Sequence, residues 1–170
     1  MQEMLIYGVS FDLVGKQPIV LLKTAEGNKF LPIWIGHPEA AAILMKLQSQ
    51  VAPRPMTHDL MSDLLEQLGA QVVRITVTEL RENTFYAQIT VAQDGHEIEV
   101  DSRPSDAIAL AIRAEAPIYA ADQVIEESAI EFEGEEVSEE QLEAEVSKFR
   151  SFLDNVTPDQ FAVEDDDEEE

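Results

Sequence analysis

Runs of alternating or continuous apolar residues, separated by turn-forming residues, dominate the first two thirds of the chain. Such runs are typical of strands. The pattern predicts six of them, at 4–14, 18–24, 29–35, 72–77, 85–91 and 97–100. Asp94-Gly95, between the last two, is a strong signal for a hairpin turn.

Apolar residues at helical spacing predict three helices between and after these strands. Pro38 opens the first. Thr57 is the expected N-cap of the second, which Gly69 closes. The third begins around 102–106 and is apolar on nearly all sides, so we expect it to be buried. A short final strand is expected at 118–120.

The resulting order, β-β-β-α-α-β-β-β-α, predicts an α+β fold: a compact single domain with a mixed sheet packed against helices. We place this domain at 1–130 and a linker at 131–137. An amphipathic helix is predicted at 138–155, with a narrow apolar stripe that suits either the domain or a partner. The acidic run within 156–170 is expected to be a disordered tail.

The net negative charge of the chain bears on how tightly it is expected to bind nucleic acid. The net charge is −24, and residues 131–170 hold 17 acidic residues against two basic ones. Because affinity for nucleic acid depends largely on Lys and Arg, we expect weak binding to bulk nucleic acid. The acidic tail suits two roles, competition with nucleic acid for Arg54 and Arg103, or the maintenance of solubility.

Several classes of protein are disfavoured by what the sequence lacks. It contains no cysteine, which rules out disulfides and thiolate nucleophiles. No apolar run approaches the roughly 18 residues of a membrane span, and the first residues show no secretory signal. We therefore expect a soluble, cytoplasmic protein without a membrane partner.

Polar residues that could carry chemistry lie in three segments, at 31–40, 54–60 and 101–107, where elements begin or end. Each also has a structural interpretation. Trp34 is expected to be a core or interface aromatic, and Glu39, His58 and Asp59 suit the first turns of helices. Arg103 with a neighbouring aspartate suits a structural ion pair.

The functional interpretation combines the second and third segments. Asp59, Asp101 and Asp106 offer the oxygen ligands that Mg²⁺ or Mn²⁺ prefers. His58 suits general acid–base catalysis, and Arg54 and Arg103 suit a grip on phosphate. Together these groups could hydrolyse a phosphodiester, although their spacing matches no diagnostic catalytic motif.

Three long segments resemble the bifunctional nuclease (BFN) domain family: LPIWIG at 31–36 followed by Glu39-Ala40, RPMTHDL at 54–60, and SRPSDAIALA at 102–111. The resemblance is strong over about 3–130. It implies a compact α+β domain, often a homodimer, and a hydrolase active on both DNA and RNA. It also adds Glu39 to the candidate metal ligands, beside Asp59, Asp101 and Asp106.

Two hypotheses of function follow. The first is a metal-assisted nuclease, acting as DNase and RNase with little sequence preference. The second is a non-catalytic binding or regulatory module that engages a protein partner through the tail helix. In the second, Arg103 and Asp106 hold the domain together.

Overall fold

The computed structural model describes residues 1–12 and 16–131. The elements within them are β1 (Gln2–Asp12), β2 (Gln17–Thr24), β3 (Lys29–Trp34), α1 (His37–Leu47), α2 (Thr57–Gln67), β4 (Gln71–Arg81), β5 (Thr84–Gln93), β6 (His96–Ser102), α3 (Pro104–Ala114), β7 (Ile118–Ala120), α4 (Asp122–Ser128) and β8 (Ile130–Glu131).

The eight strands form one sheet in the order β6-β5-β4-β7-β1-β2-β3-β8. Neighbouring strands are antiparallel except β4 and β7, which run parallel. The sheet is therefore mixed and packs against helices, so the predicted α+β fold is confirmed.

The predicted strand at 118–120 is present, but it lies at the centre of the sheet. Its three residues pair with Gln2–Met4 of β1 on one side and with Ile75–Val77 of β4 on the other. β7 thus joins a β4–β5–β6 half of the sheet to a β1–β2–β3–β8 half. Such an insertion depends on contacts far apart in sequence, which local patterns do not encode.

Helix α3 lies in the core, as its sequence predicts. The residues from Ala107 to Ala111 are all buried, and α3 packs against α1, α2, β4 and β5. Four of the eight residues from Ala107 to Ala114 are alanines. Their small side chains let the neighbouring helices approach closely. The core therefore continues on every side of this helix.

Two tight turns fix the register of the β4–β5–β6 half. Glu82 and Asn83 both have positive φ, at 49° and 59°, and so do Asp94 and Gly95, at 50° and 79°. Paired positive φ values are those of two-residue turns whose twist matches that of the flanking strands. The hairpin predicted at Asp94-Gly95 is confirmed.

Some boundaries differ from prediction. Thr57 is the first residue of α2 and not its N-cap, which is Met56, because the Asp59 carboxylate accepts the Met56 N–H at 2.9 Å and so caps the helix from within. β8 was not predicted, and Glu131, assigned to the linker, pairs there with Lys29 of β3. A pairing of two residues is too short to leave a sequence pattern.

The rest of the predicted linker, the helix at 138–155 and the acidic tail at 156–170 lie outside the described residues. In the part of the chain that is described, no helix combines the length and apolarity needed to cross a bilayer.

Candidate functional site

The first turns of α1, α2 and α3 meet at one place and bring four predicted site residues together. Glu39 is the third residue of α1, His58 the second of α2 and Asp106 the third of α3, while Arg103 is the N-cap of α3. Three helix N-termini, each with a partial positive charge, are therefore grouped around these side chains. We call Glu39, His58, Arg103 and Asp106 the helix-start network.

Asp106 is the central member of this network. Its Oδ1 lies 2.9 Å from His58 Nε2, and its Oδ2 accepts a hydrogen bond from Arg103 Nε at 2.9 Å. One carboxylate thus links an imidazole from α2 to a guanidinium beside α3. The His58 side chain is 9% exposed and that of Asp106 is 24% exposed, so the pair is largely screened from bulk water.

Arg103 completes the network. Its Nη2 lies 2.8 Å from Glu39 Oε1 and 2.8 Å from Asp106 Oδ2. Hydrogen bonds to Glu39 and then to Asp106 raise the pKa of Arg103 above its ordinary value, so the side chain stays charged. That side chain is 64% exposed, and within the described residues its Nη1 makes no hydrogen bond. One edge of the guanidinium is therefore open to an anion.

A glycine makes room for the Glu39 carboxylate. A Cβ at Gly36 would lie 2.2 Å from Glu39 Oε2, closer than any non-bonded contact allows. A side chain at position 36 would therefore force the Glu39 carboxylate to move from this position. The role of Gly36 is to allow this close approach. Its conformational freedom is not required, because the backbone at Gly36 is extended, with φ of −76°.

A second charged cluster, which the sequence analysis missed, is centred on Arg113 near the end of α3. Arg113 Nε donates to Asp59 Oδ1 at 2.6 Å, Nη1 to the Ala109 carbonyl at 2.8 Å and Nη2 to the Ala42 carbonyl at 3.0 Å. Its side chain is only 7% exposed. The signal was present in the sequence, because a single arginine ends an otherwise apolar buried helix and buried charges are normally paired.

This cluster lowers the pKa of Asp59. Partial burial acts to raise the pKa of Asp59, but the Met56 N–H, the hydrogen bond and charge of Arg113 and the charge of Lys46 together outweigh it and lower the pKa. Asp59 is therefore held as a carboxylate by Arg113, and it takes no part in the hydrogen bonds of the helix-start network.

Two other predicted site residues also lie apart from the network. Arg54 lines a neighbouring cleft of about 320 Å³ together with Lys46, Asp59 and Arg113, and among the described residues it forms no ion pair. Asp101 lies on the exposed strand β6, opposite Gln88 of β5. Trp34, expected in the core or at an interface, is not in the core, because it is 49% exposed at the end of β3.

The four predicted metal ligands do not converge on one point. Glu39 and Asp106 both bind Arg103, Asp59 binds Arg113, and Asp101 forms no ion pair among the described residues of the chain. Over residues 1–12 and 16–131, no three His, Asp or Glu side chains are arranged to hold a metal ion. This arrangement of donors does not fit a site for Mg²⁺ or Mn²⁺, which needs several oxygen ligands around one point.

Comparison with known proteins gives the family. The family model of the bifunctional nuclease domain matches residues 20–133. The chain belongs to the bifunctional nuclease domain family. An uncharacterized protein of Mycobacterium tuberculosis, MT1877, is 40% identical over 164 residues, which cover 95% of this chain and 98% of that protein.

Plant members of the family are more distant. Bifunctional nuclease 1 of Oryza sativa subsp. indica is 30% identical over 103 residues, 58% of this chain and 31% of the plant protein. Bifunctional nuclease 1 of Arabidopsis thaliana is 27% identical over 105 residues, 59% of this chain and 32% of that protein. The match thus covers about a third of each plant protein.

We predict that the two arginines of α3 differ in their effect on stability. Arg113→Ala should lower the free energy of unfolding by about 3 kcal/mol, the lower end of the range for breaking a buried pair, because the Asp59 carboxylate is partly rehydrated. Arg103→Ala should cost about 1 kcal/mol or less, since that side chain is mostly exposed. Urea denaturation of both variants measures the difference, and equal losses would contradict it.

We also predict that the Asp59–Arg113 pair makes stability depend on pH. Because the folded pKa of Asp59 is lowered, its contribution is present above the unfolded pKa of about 3.9 and is lost as pH falls through the folded pKa. The difference in unfolding free energy between wild type and Asp59→Asn should therefore shrink as the pH falls below about 4. Asp63→Asn removes one negative charge from the same helix and serves as the control. A difference that stays constant over this range would refute the prediction.

Proposed function

We propose that the protein is a nuclease-like hydrolase that cleaves phosphodiester bonds of DNA and RNA at the helix-start network. The observation that carries the proposal is the 2.9 Å contact between His58 Nε2 and Asp106 Oδ1, with the exposed Arg103 guanidinium bound to the same carboxylate. Membership of the bifunctional nuclease domain family and the names of the plant relatives support it.

His58 is the proposed general base. A carboxylate accepts hydrogen bonds and has no proton to donate, so contact with Asp106 favours the imidazole tautomer with hydrogen on Nε2. That tautomer leaves the lone pair of Nδ1 free to accept a proton from water. Asp106 then stabilises the imidazolium that forms, as an aspartate does for the histidine of a hydrolytic triad.

Arg103 is the proposed contact to the reacting phosphate. Its open edge can donate to a phosphoryl oxygen and stabilise the charge that develops there. In the reaction the water oxygen bonds to phosphorus and the bond to the leaving oxygen breaks. The proton taken up by His58 returns to that leaving oxygen. Each of these steps uses a side chain of the network.

The electrostatics set limits on substrate binding. With His58 neutral, two carboxylates and one guanidinium give the network a formal charge of −1, which opposes an approaching phosphate. The three helix N-termini offset part of this charge. We therefore expect weak, salt-sensitive binding. Because these groups contact phosphate and not base edges, we expect little sequence preference.

We also propose that the protein forms a homodimer through an apolar surface between α2 and β6. An almost wholly apolar groove there is lined by Leu64, Leu68, Val91 and Val100, among others. Three of these side chains are about half exposed or more: Leu64, Leu68 and Val100. Among the described strands, β6 lies at the edge of the sheet and pairs on one side only. A second copy would cover both features, since exposed apolar grooves and free strand edges favour association.

For the hydrolytic site, we predict that Asp106→Asn and His58→Ala each lower kcat on single-stranded DNA and RNA by about 100-fold or more, the usual contribution of general acid–base catalysis. Asp94→Asn, the same chemical change in the β5–β6 turn, should leave kcat unchanged. Rates are measured in Mg²⁺, in Mn²⁺ and in EDTA, which also tests the predicted metal requirement.

Thermal melts accompany these assays. Folded but inactive variants would support catalysis. Unfolding of Asp106→Asn would support the alternative that the network only holds the helices together, and full activity in both folded variants would refute the proposed site.

For the dimer, we predict that Leu64→Lys yields a monomer in light scattering coupled to gel filtration, because burying an ammonium group in an apolar interface is costly. Leu5→Lys is the matched control, since Leu5 is equally exposed, at 54% against 52%, but lies on β1. A wild-type protein that elutes as a monomer, or a Leu64→Lys variant that remains dimeric, would contradict this interface.

A further inference from the structure

Next to the helix-start network lies a cleft with two aromatic side chains in its walls. It is formed where the β3–α1 junction, the β4–β5 turn and the start of α3 meet, and its volume is about 250 Å³. Trp34 and Phe85 contribute the aromatic rings and Arg103 the charge, while Gln17 and Asn83 add side-chain amides. We call it the aromatic cleft.

Trp34 is unusually exposed for a tryptophan, since residues of this type are highly buried on average. It is the largest side chain in the protein, and half of its surface remains open at the end of β3. Its neighbours on either side along the chain, Ile33 and Ile35, are buried. An indole exposed in a recess, and not folded into the adjacent core, offers a flat apolar face to a ligand.

The chemistry of the cleft matches one unpaired nucleobase. Aromatic side chains stack on bases of any identity, since every base has a π face. The amides of Gln17 and Asn83 offer both donors and acceptors, which suits base edges without selecting one base. A volume of about 250 Å³ is just below the range of roughly 300–1,000 Å³ for sites of drug-sized ligands, so it suits a single base better than a larger group.

Arg103 joins the cleft to the proposed reaction. The same side chain lines the cleft and bonds to Asp106, the partner of His58. A base stacked on Trp34 would therefore bring its own phosphate close to this guanidinium. Binding of the base would keep the phosphate near His58 despite the net negative charge of the network.

From these observations we infer that the aromatic cleft binds one unpaired base of a single-stranded nucleic acid, so that the preferred substrates are single strands of DNA or RNA. The preference for single-stranded substrates rests on the proposed hydrolytic function. Binding of the base does not depend on catalysis. A duplex does not fit, because its base faces are covered by their neighbours in the stack.

The protein itself supplies the probe. Trp34 is its only tryptophan, so intrinsic fluorescence reports on this one position. Titration of the full chain with a phosphorothioate-linked oligothymidine, which resists cleavage, should quench the emission, because a stacked base contacts the indole directly. A duplex of the same length and linkage should require a concentration about ten times higher for the same quenching, in line with the loss of one stacked base.

Variants then separate stacking from general apolar contact. With fluorescence anisotropy of a labelled oligothymidine, Trp34→Leu should weaken binding about ten-fold, and Trp34→Phe should restore most of it because a ring remains. Leu5→Ala, which removes a similarly exposed apolar side chain from β1, should leave binding unchanged. Thermal melts should show that all three variants stay folded.

Each outcome has a defined meaning. Absence of quenching, equal affinity for the duplex, or unchanged affinity in Trp34→Leu would overturn the cleft as a base site, even if Asp106→Asn abolishes hydrolysis. A Trp34→Leu variant that alters the oligomeric state and not the affinity would assign Trp34 to a protein interface instead. Conversely, selective quenching without any hydrolysis would support the base site and refute the proposed nuclease activity.

Discussion

The burial of α3 is the constraint on which the rest of the structure depends. This helix is apolar on nearly all sides, and it packs against α1, α2, β4 and β5. Its charged residues lie towards its ends, with Arg103 and Asp106 at the start and Arg113 near the finish. The helix-start network and the Arg113 cluster therefore lie at opposite ends of this buried helix, and each ties α3 to both α1 and α2.

The clusters differ in how water reaches them, and this difference separates their roles. Arg113 is buried and all of its hydrogen bonds are directed to protein atoms, which suits a structural anchor. Arg103 is mostly exposed and keeps one edge of its guanidinium open, although it is bound to two carboxylates. Pre-organised charge that still meets solvent is the arrangement that a site for an anionic substrate needs.

Local patterns predicted most elements because their chemistry is local: the turn at Asp94-Gly95, the opening proline of α1 and the apolar length of α3 each carry their own signal. Side-chain chemistry grouped His58 with a larger set of charged residues and left either Asp101 or Asp106 as the partner of Arg103. The structure joins His58 and Arg103 through Asp106. The placement of β7, the two-residue strand β8 and the separation of Asp101 from Asp106 depend on non-local pairing, which one sequence does not reveal. Asp59 was grouped with the network because it adjoins His58 in sequence, but neighbouring helical positions point in different directions. Arg54 lies in the loop before α2 and lines a separate cleft.

The brevity of β7 bears on the mechanics of the sheet. Three residues on each side connect the strand ladder that carries Trp34 to the one that carries Phe85, so strand pairing couples the two ladders only weakly along their length. Helix packing supplies the rest of the connection, because α1 covers β1 and β2, α3 covers β4 and β5, and the two helices pack on each other. The position of Trp34 relative to Phe85 is therefore set across the helix layer as much as along the sheet.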